Sequence, residues 1–352
     1  MRSEEITRSI IDFTVEKGLR DIEQGSRRSV RRMVDLGEHF ARGAFQKELF
    51  QTAQRHLDHK DSSYYTLAQN VIRSVDHKTL KTFGINLGYN SLTLGTRLIR
   101  QKISEEGHHI PWTIAVDLKE FSPSGVTENA LQSLILQGME LGVFSYFIRC
   151  SGEAAPLESL LELLKKNDQC AFLLFLTPEL LDRNRAAAIS ECHNTLVSLE
   201  CRDLPAYREG ALLLKELRCL FAAHLYYSEE ELPSLHPEKW LDALPPTGCA
   251  VTFLLARPHC GKEARAQVRS YVREVRNAAR AQPLYVVDFY SDLTLVDQTV
   301  SGASCLLCVS PEGYARRLGQ ETVPAPELHI ARQDLATILS LLMPAAEKNA
   351  GE

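Results

Sequence analysis

No cysteine occurs before Cys150, so no thiolate-held metal or cluster can draw its ligands from the first part of the chain. No apolar run approaches the ~18 uncharged residues that a membrane span needs. The opening MRSEEITRSI is too acidic and polar to serve as a secretory leader. Excess positive charge is also missing. Lys and Arg number 40 against 45 Asp and Glu, and the net charge of −5 argues against non-specific nucleic-acid binding by the whole molecule. A phosphate-cradling loop is absent too. "RPHCGKEA" (257–264) is the nearest approach, but Ala256 stands at the first glycine position and Glu263 replaces the hydroxyl that would hold Mg²⁺.

What is present is a chain of 352 residues, 44% apolar and 24% charged, long enough for a large core and more than one folding unit. Its nine cysteines fall at 150, 170, 192, 201, 219, 249, 260, 305 and 308, mostly singly in apolar runs such as "QCAFLLFL" and "GCAVTFLLA". There they read as small packing residues, and an odd count with no leader fits a reducing compartment, so a cytoplasmic location is expected. "CLLC" has the spacing of half a zinc or redox site. Placed within a strand, Cys305 and Cys308 would point to opposite faces, which argues against a shared metal. His56 and His59, and the pair His108 and His109, have no further ligands at recognisable spacing and read as surface or packing histidines.

Residues 1–106 read as a helical N-terminal region, with Ile6, Ile10, Phe13 and Val15, and Val30, Met33, Leu36, Phe40 and Phe45, recurring near helical spacing. A helical cap on the next domain is the plain expectation. Within it, the segment 26–33 gathers Arg27, Arg28, Arg31 and Arg32 on adjoining helix faces, a patch for nucleic acid, an anionic lipid surface or an acidic partner. Asp21, Glu23, Asp35 and Glu38 flank the patch, so a solvated, ion-paired face is the simpler reading.

From residue 107 the rhythm changes. The apolar runs 112–118, 143–150, 170–176, 195–200, 220–227 and 249–256 alternate with amphipathic segments such as "ENALQSLILQGMEL", "LESLLELLKK" and "HPEKWLDAL". Continuous apolar runs are the mark of strands buried on both faces, and parallel strands need helical crossovers. The expected fold is therefore α/β: a partial (β/α)6 TIM-like barrel over 107–282, followed by a C-terminal extension over 283–352 with further strands at "LYVVDFY" and "ASCLLCVSPEG". In such folds ligands bind at the C-terminal strand ends. There the first loop, "KEFSPSGVTENA", carries no cysteine, histidine or glycine cradle, and Thr127 is placed to cap the following helix. The loop after the second strand, "CSGEAAP", offers Gly152 for close backbone approach and Glu153 to pair with an amine.

In order and spacing these stretches resemble the radical S-adenosylmethionine (radical SAM) enzymes, from about residue 80 to 320, in a bacterial subgroup with a helical N-terminal region and a SPASM-like C-terminal extension. "GINLGYNS" with "HIPWTIAVDL" resembles the lead into that family's first strand. "SGEAAP" between "LGVFSYFIRC" and "LESLLELLKK" resembles its glycine–glutamate loop, and "LYVVDFYSD" with "SGASCLLCVSPEGY" its extension. The resemblance implies three closely spaced cysteines after the first strand, holding a [4Fe–4S] cluster that binds S-adenosylmethionine. Here Leu118 to Thr127 supplies none. Gly152 and Glu153 match the cofactor loop, but Ser151 stands for a glycine and Ala154 for a proline. Thr177 and Pro178 replace an Asn-Gly element after the third strand. Thr299 and Leu318 stand where auxiliary-cluster cysteines are implied.

The expectation is a degenerate member lacking a [4Fe–4S] cluster: a pseudoenzyme serving as a binding or scaffold partner, in a heteromer with an intact radical SAM protein or on its substrate. One alternative keeps S-adenosylmethionine or a nucleotide at Gly152 and Glu153 for regulation or non-radical chemistry. Another is an unrelated βα-barrel enzyme using Asp117, Glu200 and Lys262 as acid/base groups.

Overall fold

The computed structural model describes residues 2–24, 27–40, 44–152, 155–232, 241–257, 259–277 and 282–345. Ser26 and most of "HPEKWLDAL" lie outside these. The chain forms two compact units, Met1–Ile85 with Phe175–Asp292, and Asn86–Leu174 with Leu293–Glu352.

The first unit begins with helices α1 (Arg2–Glu23), α2 (Arg27–Phe40), α3 (Ala44–His56), α4 (Ser63–Ser74) and α5 (His77–Ile85). Their apolar stripes bury Leu19, Ile22, Val30, Leu57, Tyr65 and Ile72 together. These helices are tied to the βα part of the same unit by backbone-directed bonds. The Asp76 amide donates to the Arg218 carbonyl at 2.8 Å, the Arg218 guanidinium returns a bond to the Val75 carbonyl at 3.1 Å, and the Tyr64 hydroxyl reaches the Arg276 carbonyl at 3.4 Å. Parallel strands β4 (Thr195–Glu200), β5 (Phe221–Tyr227), β6 (Val251–Ala256) and β7 (Tyr285–Asp288) pair in that order.

The second unit holds β1 (Thr113–Leu118) and β2 (Ser145–Cys150), paired parallel from Thr113↔Ser145 to Leu118↔Cys150. Strand β8 (Leu307–Val309) lies parallel on the other side of β1, and β9 (Ala315–Arg317) runs antiparallel to β8. Strand β3 (Ala171–Leu176) is buried at all six positions, each large side chain contributing roughly 1.5–3 kcal/mol. Within the first unit the hydrogen-bonded order is β7-β6-β5-β4, and within the second it is β2-β1-β8-β9, so successive parallel strands lie side by side in each. All six expected strands are present, and β7 extends the parallel run by one.

Helices α6 (Glu128–Leu141), α7 (Leu157–Lys166), α8 (Arg183–Ser190) and α9 (Leu204–Glu216) make the crossovers. Side-chain caps start three of them, Thr127, Asp182 and Asp203 accepting the amides of Ala130, Arg185 and Ala206. "GINLGYNS", on the way to the first strand, enters a π-helical segment, Asn86–Gly95. Asn86 Nδ2 donates to the Asp168 and Cys170 carbonyls at 2.7 and 2.9 Å, and Asn90 Nδ2 to the Gln169 carbonyl at 2.8 Å. These bonds hold the entry to β3, the end of a βα strand where stability rather than chemistry resides.

Candidate functional site

The loop leaving β1 is a closed turn. Ser122 N–H donates to the Val126 carbonyl and Gly125 N–H to the Ser122 carbonyl, both at 3.1 Å. Val126 is fully buried, and its amide donates to the Pro311 carbonyl at 3.3 Å, joining the loop to the β8–β9 turn. A Cβ on Gly125 would overlap the Pro311 carbonyl oxygen. The Ser151 amide donates to the Leu118 carbonyl at 3.1 Å, so the second strand's loop closes the other side.

A [4Fe–4S] cluster needs soft, charged thiolates, and this turn does not fit one. It offers hydroxyls, the Lys119 amine and the exposed Glu120 carboxylate. The thiols at neighbouring strand ends are poor substitutes. Burial pushes Cys150 up to about 12, and burial likewise raises Cys308 to about 12, disfavouring the thiolate form in both.

Gly152 takes φ +88°, with open space where a Cβ would project. Glu153 and Ala154 lie outside the described residues. Thr177 leads into a 3₁₀ turn, Pro178–Leu180. Thr299 sits on the helix Phe289–Ser301, its hydroxyl bonded to the Leu295 carbonyl, while Leu318 follows β9 and pairs its amide with the Leu306 carbonyl.

The CLLC pair departs from its expected place, because Cys305 precedes β8 while Cys308 lies within it. Cys305 is held by Asp297, whose carboxylate accepts both its amide and its thiol. His56 packs on Tyr64 at 4.9 Å, His59 is exposed, His108 faces Glu106 at 3.4 Å, and His109 bonds the Ser301 carbonyl at 3.0 Å. Among the described residues no group of three or more His, Cys, Asp or Glu converges as a metal site would require.

Of the acid/base candidates, Asp117 accepts from Arg149 Nε at 2.7 Å at the register pair Asp117↔Arg149. Glu200 lies 4.0 Å from Arg202, and Lys262 is exposed. Among the described residues no hydrogen bond or ion pair joins the three. The phosphate-loop look-alike faces a carboxylate, since a Cβ on Gly261 would sit 2.6 Å from Glu229 Oε2.

Sequence reasoning missed the charged groups at strand ends. Glu231 accepts from Arg202 and, at 3.0 Å, from Arg257, whose guanidinium lies 5.4 Å from the Tyr226 ring centre. Burial opposes its ionisation, but the bonds from Arg257 and Arg202 prevail and hold its carboxyl down at about 2. His224, at the register partner of Glu200, shares a hydrogen bond of 3.1 Å with Ser198 and stacks edge-on to Tyr226. Arg202 and Arg257 follow the apolar runs 195–200 and 249–256 closely, which was the available signal, whereas His224 lies within its run.

On α2 the ion pairing runs across to the α3–α4 connection rather than along the helix. Arg31 pairs with Asp58 at 2.9 Å and Arg27 donates to the Lys60 carbonyl at 2.7 Å. Asp35 and Glu38 are taken by Gln54, and Arg28 and Arg32 are exposed. No described helix is long and apolar enough to cross a membrane.

No protein-family model matches this chain, and no curated protein matches it. Solved structures do. Streptococcus suis SuiB aligns at 10% identity and a TM-score of 0.50, covering 79% of this chain and 80% of that one. SuiB bound to precursor peptide SuiA aligns at 9% identity and 0.51, covering 69% and 68%. Native anSMEcpe with bound AdoMet gives 13% identity and 0.44, covering 64% and 79%. The two SuiB structures show the fold of this chain to be the radical SAM fold.

Proposed function

We propose that this chain is a radical-SAM-fold protein that does no radical chemistry itself and serves as a non-catalytic binding or scaffold partner, of a cluster-bearing relative or of that relative's substrate. One observation carries the reading. The turn at 119–127, where the resemblance implies three cluster thiolates, has none and is closed by its own amides onto Pro311. Rebuilding a cluster loop there would require breaking the bond from Val126 and moving the β8–β9 turn. The strands around it keep their parallel pairing and Thr127 its cap, which supports a retained role for the fold.

Anaerobic reconstitution with iron and sulfide tests this directly. The expected result is no visible-absorbing cluster and no cleavage of added S-adenosylmethionine; a [4Fe–4S] spectrum with cofactor cleavage would overturn the proposal.

Cofactor binding without radical chemistry is the second reading, favoured by the open, left-handed backbone at Gly152. Titration calorimetry with S-adenosylmethionine on the wild type and on Glu153→Ala decides it. Heat that the substitution abolishes supports retained binding, and no heat from the wild type removes it.

A further inference from the structure

In the second unit one imidazole backs the turn that closes the end of β1. His329 follows the 3₁₀ turn Pro326–Leu328 and is buried. It forms an isolated antiparallel bridge with Tyr314, just before β9, and the Ile330 amide donates to the Gly313 carbonyl at 3.0 Å. The ring stands edge-on to Tyr314, with 4.9 Å between ring centres. Gly313 is held between two neighbours. A Cβ there would lie 2.8 Å from both Cε1 and Nε2 of His329 and 3.2 Å from the Gly125 carbonyl oxygen. Its φ of +85° also favours glycine, so the ring packs directly on bare backbone.

The ring's own bonds fix its protonation state. Nδ1 accepts the Ala331 amide at 3.2 Å, so the neutral ring carries its proton on Nε2. A second proton would enter at Nδ1, face the Ala331 N–H and end that bond. Burial and Arg332 also hold the imidazole below its ordinary 6.5, against the pull of the Glu312 carbonyl. The groups at the ring are Tyr314 and the Glu312 backbone from the β8–β9 hairpin and Arg332 from its own segment. The turn at 119–127 approaches only through the Gly125 carbonyl, behind Gly313. Among the described residues no carboxylate pairs with the ring, so a charge formed there has no counterion.

The path from the ring to the turn is short and made of backbone. The Gly313 amide donates to the Ser310 carbonyl and the Ser310 amide to the Tyr314 carbonyl, both at 2.9 Å, which makes 310–314 one tight turn. Its Pro311 carbonyl takes the Val126 amide at 3.3 Å and fills the place of a Cβ on Gly125. A charged, unpaired ring must leave its buried place for solvent, and Gly313 then loses the surface it rests on. At 3.3 Å the bond from Val126 is longer than an ordinary amide pair, so it is the weak point of the closure.

We infer that His329 is a pH-sensitive clasp: its neutral ring holds the β8–β9 turn against the loop at 119–127, and its protonation frees both and opens the C-terminal end of β1. The closed form excludes a proton that the open form binds at the ordinary imidazole value, so acid favours opening. The clasp is shut above about pH 6.5 and loosens as pH falls below it. It adds regulation to the pole proposed above to lack a cluster, and it rests on that turn being closed at neutral pH.

The test is hydrogen–deuterium exchange of the full chain, read by mass spectrometry at pH 7 and pH 5 and corrected for the intrinsic exchange rate. Protection over 119–127 and 310–314 should fall at pH 5 by up to roughly twentyfold, the limit set by an imidazole at 6.5 that the closed form cannot protonate. Protection over β3 should hold. His329→Asn keeps an oxygen acceptor for the Ala331 amide, as in an Asx turn, but takes no proton. Its protection should be the same at both pH values. His39→Gln, at an exposed position on α2, should respond to acid as the wild type does. Nitrogen NMR of labelled histidine gives a reading that needs no variant, and should find the His329 proton on Nε2 at neutral pH. Unchanged wild-type protection, the same acid loss in His329→Asn, a loss shared by β3, or a neutral ring protonated on Nδ1 would each overturn the clasp. A reconstituted cluster would instead overturn the proposed function and leave the exchange result standing, so the two failures are distinguishable.

Discussion

Asn90 Nδ2 donates to Asn86 Oδ1 at 3.0 Å across one turn of the π-helical segment, and both side chains are buried. The bond aligns the two amides so that together they cover three successive carbonyls, Asp168, Gln169 and Cys170, at the entry to β3. Asn86→Ala leaves two of those carbonyls without their side-chain partner and Asn90 without its acceptor. A loss of about 2–4 kcal/mol is expected, read as a lower midpoint in urea with the slope unchanged. Asn86→Asp should be no better, because a carboxylate turned toward carbonyl oxygens repels them.

That clamp also marks how far the sequence could be read. Strand β4 coincides with the apolar run 195–200, the helix Glu128–Leu141 with "ENALQSLILQGMEL", and Thr127 caps it as its side chain allows. Burial on both faces writes itself into composition, and so do caps. The π segment does not, because its widened turn is set by the carbonyls of residues 168–170, some eighty positions away in the chain. Strands β8 and β9 have three residues each, too few for periodicity, and their pairing with β1 depends on contacts distant in sequence. The candidate site was legible only as an absence, the thiol-free loop. Arg149 gains meaning only when register brings it level with Asp117.

The closed turn makes a steric prediction. Gly125 has an ordinary negative-φ backbone, so its need for glycine comes from the Pro311 carbonyl above it. Gly125→Ala is expected to cost about 1–3 kcal/mol, as overpacking does. Ser124→Ala, at an exposed neighbouring position, should stay within about 0.5 kcal/mol. Thermal denaturation of both variants beside the wild type checks this, and equal midpoints would show that the turn yields freely.

Thiol chemistry offers another check. All nine cysteines are free and buried. Burial raises the thiols of Cys150, Cys170 and Cys219 to about 12 and that of Cys249 to about 11. A thiol-specific reagent at neutral pH should therefore label the native protein slowly, and label all nine only after denaturation. Cys260 should react first. Burial raises its thiol too, but Arg265 pulls it back, and it lies in the loop where His259 takes φ +66°. Mass spectrometry after limited labelling identifies the site, and early labelling of Cys150 or Cys308 would contradict the buried strand ends.

Asp297 gives stability a pH dependence of unusual sign. Its carboxylate, fully buried on the helix Phe289–Ser301, accepts from the amides of Cys305 and Trp112. Burial outweighs those bonds and raises its carboxyl from the ordinary 3.8 to about 6. A carboxyl whose folded value exceeds its unfolded value holds its proton more tightly in the folded state. Its contribution is therefore most favourable below about pH 4, falls as pH rises toward 6, and is flat beyond, a change of about 3 kcal/mol at 1.36 kcal/mol per unit. Asp297→Asn removes the titration while keeping the shape. It introduces a constant offset, because one of its positions becomes a donor facing an amide. The difference in unfolding free energy between wild type and variant, measured in urea from pH 4 to 7, should shift by up to that amount in the variant's favour as pH rises. Subtraction cancels the other carboxyls, including Asp288, which burial also raises. A pH-independent difference would mean that Asp297 stays ionised throughout, held by the Cys305 and Trp112 amides more strongly than burial opposes it.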